Sequence, residues 1–265
     1  MRNETARRRW AAFFQEREGQ AMAERLDKFV ASQGNMTRKE AGKLIRAGAV
    51  TVNGEQRKDP AGKVDPAGDE VRVEGRRLTY QKHVTLMMNK PAGVLSATED
   101  KRCPTVLDLL PPEYGRRGLF PAGRLDKDTT GLLLLTDDGD LAHRMLAPKS
   151  HVYKLYRART AQPVTQGDIE AFREGVRFGE IQYAPARLEV EEGDSRCALV
   201  DIREGKFHQV KRMFEARGNK VVALERLRIG SLALDPALAP GQVRPVGEEE
   251  LKLLFLPAST KATKF

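Results

Sequence analysis

The feature that most constrains the fold is a run of four leucines, residues 132–135, set between a glycine and an Asp-Asp-Gly turn. A short, continuous apolar run bounded by turn residues predicts a strand that is buried on both faces. The polar segment 123–131 leads into this strand and contains Asp126. The sequence therefore predicts that Asp126 lies on a loop held rigidly by a core strand.

The position of Asp126 suits either of two roles. A carboxylate at the mouth of a buried strand, two residues after Arg124, is open to partial desolvation and to orientation by a neighbouring cation. These conditions make an aspartate a useful nucleophile or base. A Gly-x-x-Asp loop also occurs as a plain turn cap, so the residues alone leave both interpretations of Asp126 open.

Length and charge divide the chain. Its 265 residues favour two domains over one. The chain has 46 basic and 37 acidic residues, and residues 1–82 alone carry 18 basic and 12 acidic ones, so most of the net charge of +9 lies in the first third. A basic first third indicates a polyanionic partner for that part.

The two cysteines, Cys103 and Cys197, lie far apart and in no metal-ligand spacing. We therefore expect neither a disulfide framework nor a metal site, and a reducing cytosol fits best. The sequence contains no apolar run of about 18 residues and no apolar segment with a cleavage site at its start, so we expect no membrane span and no signal peptide. A cytoplasmic location is the resulting prediction.

Residues 25–73 show a regular pattern of two helices followed by strands. Apolar residues at i, i+3 and i+4 from Leu26 predict the first helix. The second begins at Thr37, where Thr-Arg-Lys-Glu has the form of a capping box. An alternating Val-Thr-Val segment then runs into Asn53-Gly54, which is a strong hairpin signal.

The second of these helices carries a row of positively charged side chains along the side opposite its apolar stripe. Such a face is either an ordinary solvated surface or a surface that follows RNA phosphates. The strings Arg-Leu-Asp-Lys-Phe, Thr-Arg-Lys-Glu-Ala and Val-Thr-Val-Asn-Gly resemble the small RNA-binding module named after ribosomal protein S4. With this resemblance, the predicted RNA contacts of the module are Arg25, Lys28, Arg38, Lys39, Lys43 and Arg46.

The central string, Gly-Arg-Leu-Asp-Lys-Asp-Thr-Thr-Gly followed by four leucines, resembles the catalytic motif of the pseudouridine synthases, whose aspartate is essential. A Lys-Leu-Tyr string ending at Tyr156 is similar to the second motif of that family. Gly-Lys-Phe-His-Gln-Val-Lys-Arg-Met, which starts at Gly205, is similar to the third. The resemblance implies catalytic roles for Asp126, Tyr156 and Lys211. It also implies that Lys211 pairs with Asp126, with Arg212 as the alternative.

For Tyr156 the residues alone favour a core position, since a strand tyrosine usually packs inside. Alternation places Lys154 with Tyr156 on one face of the strand, and Tyr153 with Leu155 on the other. The family resemblance implies that Tyr156 stacks on an extruded uracil and assists proton removal from carbon 5. It implies only a structural hydrogen-bonding role for His208.

Basic side chains near the motifs complete the predicted RNA contacts. An Asn-Lys-Pro-x-Gly string at Lys90 resembles the opening of the synthase domain, and Lys90 is either an RNA contact or simply part of the first strand. Alternation along residues 220–229 places Arg226 and Arg228 on one face, where both would meet the RNA backbone. This second group of predicted contacts consists of Lys90, Arg124, Arg212, Arg226 and Arg228.

The expected fold is α+β: a catalytic domain on a mixed, largely antiparallel sheet with flanking helices, preceded by a small α/β S4-like domain. Aromatic residues from Trp10 allow a short amphipathic helix in the N-terminal extension, which is otherwise expected to be frayed. The expected boundaries are an extension at 1–22, the S4-like domain at 23–75, a linker at 76–83, the catalytic domain at 84–256 and a tail at 257–265.

The resemblance implies isomerisation of a uridine to pseudouridine in ribosomal RNA by a monomer that needs no cofactor or metal. The implied partner is ribosomal RNA or a partly assembled ribosomal subunit. The third motif and the Leu-Ala-Pro-Gly-x-x-Arg-Pro string at 238–245 are most similar to the RsuA type, which acts on small-subunit RNA, although enzymes for large-subunit RNA share much of the pattern. Attack on ribose carbon 1′ and attack on uracil carbon 6 both remain open.

Two other classes of function remain as alternatives. One is a non-catalytic RNA-binding assembly factor, which would tolerate the loss of Asp126. The other is a hydrolase that uses Asp126 and His208. The absence of a nucleophile elbow or of metal-ligand spacing argues against the hydrolase.

Overall fold

The computed structural model describes residues 23–147, 150 and 152–256. The expected N-terminal extension, including its aromatic helix, and the expected tail lie outside the described residues. The chain forms two compact units, one ending at Lys82 and the other starting at His83. Each unit mixes helices with mostly antiparallel strands, as the α+β prediction requires.

The first unit holds two short helices and two small sheets. Strands β3, β2, β5 and β6 form an antiparallel sheet in that order, and β1 pairs with β4. The elements are β1 (Glu24–Arg25), α1 (Leu26–Gln33), α2 (Arg38–Arg46), β2 (Val50–Val52), β3 (Glu55–Arg57), β4 (Lys63–Val64), β5 (Val71–Val73) and β6 (Arg76–Arg77).

Local signals explain how these elements begin and end. The Thr37 hydroxyl accepts a hydrogen bond from the Glu40 N–H at 3.2 Å, and the Glu40 carboxylate accepts one from the Thr37 N–H at 2.7 Å. The predicted capping box is therefore confirmed. Asn53 and Gly54 have φ values of +53° and +84°, the left-handed conformations that a two-residue hairpin turn between β2 and β3 needs.

Asp27 ties the starts of the two helices together. Arg25 donates to its carboxylate at 2.8 and 3.1 Å, and Arg38 donates at 2.9 and 3.0 Å. The hydrogen bonds from Arg25, joined by those from Arg38, lower the pKa of Asp27 to about 2 although burial opposes the shift. Two of the predicted RNA-binding arginines therefore also hold this unit together.

The predicted linker at 76–83 is wrong at its start. Strand β6 lies inside that range and pairs with β5. The Gln81 N–H donates to the Gln33 side chain at 2.9 Å, and the ring of Tyr80 stacks on Phe29 with centroids 6.0 Å apart. The first unit therefore continues through these residues, which lack the periodic pattern that reveals strands in a sequence.

The second unit is built on one large sheet, with strand order β13-β14-β10-β15-β9-β7-β17. In addition, β16 pairs with β15, β8 pairs with β9, and β11 and β12 form a separate ribbon. Within the described part of the sheet only β9 and β15 run parallel, so the predicted antiparallel character is confirmed. No helix in the described ranges is long and apolar enough to cross a membrane.

The strands of the second unit are β7 (Thr85–Lys90), β8 (Phe120–Pro121), β9 (Thr130–Thr136), β10 (Lys154–Thr160), β11 (Arg177–Phe178), β12 (Ile181–Gln182), β13 (Arg187–Glu191), β14 (Asp194–Ile202), β15 (Val221–Ile229), β16 (Leu232–Ala233) and β17 (Val243–Pro245). Its helices are α3 (Gly139–Leu146), α4 (Gln166–Glu174), α5 (Gln209–Ala216) and α6 (Glu248–Leu253). Short 3₁₀ turns occur at Leu107–Leu109 and Pro112–Tyr114.

Strand β9 is buried on both faces, as the run of leucines predicts. Leu133 and Leu135 pack in one apolar cluster with Tyr156 and residues of α5. Leu132 and Leu134 pack in a second cluster with residues of α3 and α6. The four leucines are fully buried, so β9 joins the two apolar layers of the unit.

Gly131 fixes the place where the chain enters β9. Its φ is +95°, and a Cβ atom built there would lie 2.8 Å from the backbone nitrogen of Arg226 on the parallel neighbour β15. Glycine is required both for the backbone conformation and for the close approach of the two strands. The segment that carries Asp126 therefore ends at a defined point.

We expect the first unit to lose stability in acid through Asp27. Because its folded pKa lies below the usual value, the Asp27 carboxylate stabilises the fold above about pH 4, and this contribution is lost as the pH falls towards 2. Denaturant unfolding of the full chain at pH 4.5 and pH 2 should show a smaller loss for Asp27→Asn than for the parent protein. The exposed Glu55→Gln is the matched control, and equal losses in all three proteins would contradict the assignment.

Candidate active site

The loop at residues 123–129, called the Asp126 loop below, is held by buried hydrogen bonds. The Ser96 hydroxyl donates to the Leu125 carbonyl at 2.9 Å and accepts from the Leu125 N–H at 3.0 Å. The Gly93 N–H donates to the Lys127 carbonyl at 2.8 Å. Both backbone groups of the residue before Asp126 are therefore clamped by one side chain.

Lys90 supports the same loop from inside. Its side chain is 0% exposed, and the ammonium donates to the carbonyls of Pro91 at 3.0 Å, Lys127 at 3.3 Å and Thr129 at 2.9 Å. Burial lowers the pKa of Lys90 to about 8, and the carboxylates of the loop offset only part of that shift. The expectation that Lys90 contacts RNA is corrected, because the side chain has no surface to offer.

Asp126 forms an ion pair with the first turn of α5. The Lys211 ammonium lies 2.9 Å from Asp126 Oδ2 and 2.6 Å from Asp128 Oδ1. Burial lowers the pKa of Lys211, but the hydrogen bonds to Asp128 and Asp126 outweigh it and the net shift is upward. The expected Lys211–Asp126 pairing is present. Arg212, the alternative partner, instead lies over the ring of Phe207.

His208 lies on the other side of the Asp126 carboxylate. Its Nε2 atom is 3.4 Å from Asp126 Oδ1, and its ring stacks on Phe207 with centroids 3.7 Å apart. A left-handed backbone at His208, with φ of +52°, directs the chain from the preceding loop into α5. Gln209 anchors this junction by donating to Glu204 at 3.2 Å.

Tyr156 lies on β10 and is linked to the start of β9 through Arg226 of the intervening strand β15. Tyr156 and Arg226 are 8% and 4% exposed. Arg226 Nη1 donates to the Tyr156 hydroxyl at 3.5 Å, and Nε donates to the Leu132 carbonyl at 2.7 Å. The prediction that Arg226 contacts the RNA backbone at the surface is wrong, because strand β15 is buried at this point.

The predicted position of Arg228 is also wrong, because the register of the sheet shifts next to it. Tyr156 pairs with Arg226, but the adjacent Leu155 pairs with Arg228, because the pairing of β10 with β15 is irregular between them. The two arginines therefore lie on opposite faces rather than on one. Arg228 is half-buried and donates to Asp201 at 3.3 Å.

Sequence reasoning assigned no role to Lys154, Ser96 or Phe207. The alternation along β10 correctly places Lys154 on the face of Tyr156, and that was the available signal. Burial lowers the pKa of Lys154 to about 8, and the charge of Arg226 adds to the effect. Ser96 and Phe207 carry no comparable signal, because their positions depend on contacts between distant segments.

The remaining predicted RNA contacts are surface residues. Lys39, Lys43 and Arg46 are exposed on α2, and Arg124 is exposed on the Asp126 loop. Lys28 is exposed, but its ammonium forms an ion pair with Glu24 of β1 at 2.6 Å. The exposed face of α2 therefore carries three of the predicted RNA contacts at the surface.

Comparison with known proteins agrees with this architecture. The RNA pseudouridylate synthase family profile matches residues 84–216, and the S4 domain profile matches residues 24–71. The fold and these matches define an RNA-modifying isomerase. The chain belongs to the RNA pseudouridine synthase family, as the motifs predicted, and to its RsuA type.

Individual relatives cover most of the chain. An uncharacterized RNA pseudouridine synthase of Bacillus subtilis (strain 168) is 50% identical over 236 residues, covering 88% of this chain and 99% of the relative. Ribosomal small subunit pseudouridine synthase A of Escherichia coli (strain K12) is 44% identical over 230 residues, covering 86% and 98%. A crystal structure of a pseudouridylate synthase superposes with a TM-score of 0.61 at 40% identity, covering 87% and 99%.

Lys90→Met should loosen the Asp126 loop. The substitution leaves three carbonyls without their buried donor, which costs roughly 1–3 kcal/mol of unfolding free energy. Denaturant unfolding should show this loss, and hydrogen exchange of the amides at residues 123–129 should become faster. The exposed Lys127→Met is the matched control. If the two variants behaved alike, the support that we assign to Lys90 would be wrong.

Proposed function

We propose that this protein converts a uridine of small-subunit ribosomal RNA to pseudouridine, with Asp126 as the nucleophile. The observation that carries the proposal is the 2.9 Å pair between Lys211 and an Asp126 carboxylate that is partly open to solvent on a clamped loop. The relatives named ribosomal small subunit pseudouridine synthase A support the choice of RNA.

The geometry suggests how the carboxylate is used. Lys211 holds Oδ2, so Oδ1, which makes only the longer contact to His208, is the oxygen available to attack. It adds to ribose carbon 1′ or to uracil carbon 6 of a flipped uridine. The bond between N1 and carbon 1′ breaks, the base turns, and carbon 5 bonds to carbon 1′. A proton leaves carbon 5, N1 takes up a proton, and the carboxylate is released.

Tyr156 supplies the second part of the site. Its ring stacks on the flipped uracil, and its hydroxyl, held by Arg226, assists removal of the proton from carbon 5. The clamp of Ser96 on Leu125 contributes by keeping the nucleophile in place, since a loop that moves would lose the alignment that covalent catalysis needs.

The first unit provides binding free energy. Extruding a base from the stack costs a few kcal/mol, which phosphate contacts from Lys39, Lys43 and Arg46 offset. Binding should then weaken with salt, with a log–log slope of roughly −0.7 for each phosphate contacted on single strands. We propose that the protein acts as a cytoplasmic monomer, without a cofactor, on ribosomal RNA that is free or in a partly assembled subunit.

Tritium release from small-subunit ribosomal RNA labelled at uridine carbon 5 tests the chemistry. The parent protein and the exposed control Asp140→Asn should release tritium, whereas Asp126→Asn should release none and still bind the RNA within a few-fold. Release from large-subunit RNA alone would correct the choice of RNA. No release by the parent protein from either RNA or from partly assembled particles, with tight binding retained, would favour the non-catalytic assembly factor.

Reversing the charge on α2 should separate binding from chemistry. Lys39→Glu combined with Lys43→Glu should weaken RNA binding roughly tenfold or more and make the salt slope shallower, because two phosphate contacts are lost. Tritium release at saturating RNA should persist. Lys58→Glu with Lys63→Glu changes the charge equally at exposed positions outside α2 and is the control. Equal weakening by both pairs would show that overall charge, and not the α2 face, binds the RNA.

A further inference from the structure

Phe207 is the most exposed of the large apolar side chains that the structure describes, at 66% of its surface. It lies in the loop between β14 and α5, directly before His208. Exposing a phenyl ring to water is unfavourable, and single exposed apolar residues are common on protein surfaces. Its exposure is informative because of the residues that contact the ring.

The ring of Phe207 is part of a short chain of contacts that ends at the proposed nucleophile. It stacks on the His208 ring at 3.7 Å with an angle of 20° between the planes. His208 Nε2 in turn lies 3.4 Å from Asp126. The guanidinium of Arg212 lies 4.8 Å from the centroid of the Phe207 ring. Phe207 is therefore separated from the Asp126 carboxylate by one imidazole, and it remains largely open to solvent.

An exposed aromatic ring with a guanidinium over it is a combination that binds unpaired nucleotides. A base stacks on the ring, and the cation interacts with the ring or with a phosphate. The ring is also held in place, because His208 packs on it and Gln209 anchors the following turn to Glu204. A fixed ring loses little conformational entropy on binding, which favours stacking.

We propose that Phe207 is a stacking platform for the nucleobase next to the target uridine, with Arg212 at the flanking phosphate. This inference rests on the proposed function and adds a second nucleotide subsite to it. His208 lies between Phe207 and Asp126, so the base on Phe207 is a neighbour of the one under attack. Flipping the target uridine deprives that neighbour of a stacking partner, and Phe207 replaces it.

A tryptophan at this position reports the contact directly. Trp10 is the only tryptophan of the chain, so Phe207→Trp in a Trp10→Phe background gives a single fluorophore. Adding small-subunit ribosomal RNA transcript should quench its emission and shield it from acrylamide. Val222→Trp in the same background is the matched control, since Val222 is 57% exposed on β15 and has no assigned role. Its emission should not change.

Binding measurements distinguish stacking from charge. Phe207→Ala and Phe207→Leu should bind the transcript about tenfold more weakly, which corresponds to about 1.4 kcal/mol, whereas Phe207→Tyr should bind like the parent protein. The salt slope should stay unchanged in all three variants, because no phosphate contact is lost. Rescue by tyrosine with failure of leucine would show that the position needs an aromatic ring. Because a ring there also stacks on His208, the shielding of the tryptophan at position 207 from acrylamide is the measurement that a merely structural role would not change.

The outcomes separate this inference from the proposed function. If the parent protein releases tritium but the tryptophan at position 207 remains open to acrylamide in the complex, or if the alanine variant binds like the parent, the inference is overturned and the proposed function stands. If the tryptophan is quenched by the transcript but the parent protein releases no tritium from either ribosomal RNA or from partly assembled particles, stacking of RNA at Phe207 is supported and the proposed function is overturned.

Discussion

The parallel contact between β9 and β15 is the constraint on which the rest of the second unit depends. At Gly131 the backbone of β15 leaves no room for a Cβ atom, so the chain enters β9 at one place. The four leucines that follow Gly131 pack into both apolar layers, and the residues that precede it form the Asp126 loop. On its other side β15 pairs with β10, and that pairing places Arg226 beside Tyr156. Packing of the core thereby fixes both parts of the candidate site.

Three buried cations lie on the described strands that form or adjoin this contact. Lys90 and Lys154 lose enough solvent for their pKa values to fall to about 8, and Arg226 is equally enclosed. Removing a positive charge from water costs free energy, which the hydrogen bonds of Lys90 to the loop carbonyls offset only in part. Arg226 donates a hydrogen bond to the Leu132 carbonyl. The candidate site therefore combines these buried cations with the carboxylates of Asp126 and Asp128.

The sequence-based predictions are correct where they depend on residues close together in the chain, and wrong where they depend on the pairing of one strand with another. The capping box at Thr37, the turn at Asn53 and the doubly buried β9 each depend on residues within a few positions, and all three are confirmed. The prediction that Arg226 and Arg228 share one face was wrong, because a register shift between two strands cannot be read from the alternation in one of them. The linker was misplaced because β6 is defined by its pairing and not by its own pattern.

The sequence by itself determined the buried strand β9, the S4-like module, the family and the pairing of Asp126 with Lys211, because motifs and periodicity are properties of short segments. Only the tertiary structure decided that Lys90 is buried, that Ser96 clamps the residue before Asp126, and that Phe207 stacks on His208 beside the carboxylate. The clamp and the approach to Asp126 join segments far apart in the chain, and such contacts exist only once the sheet has formed.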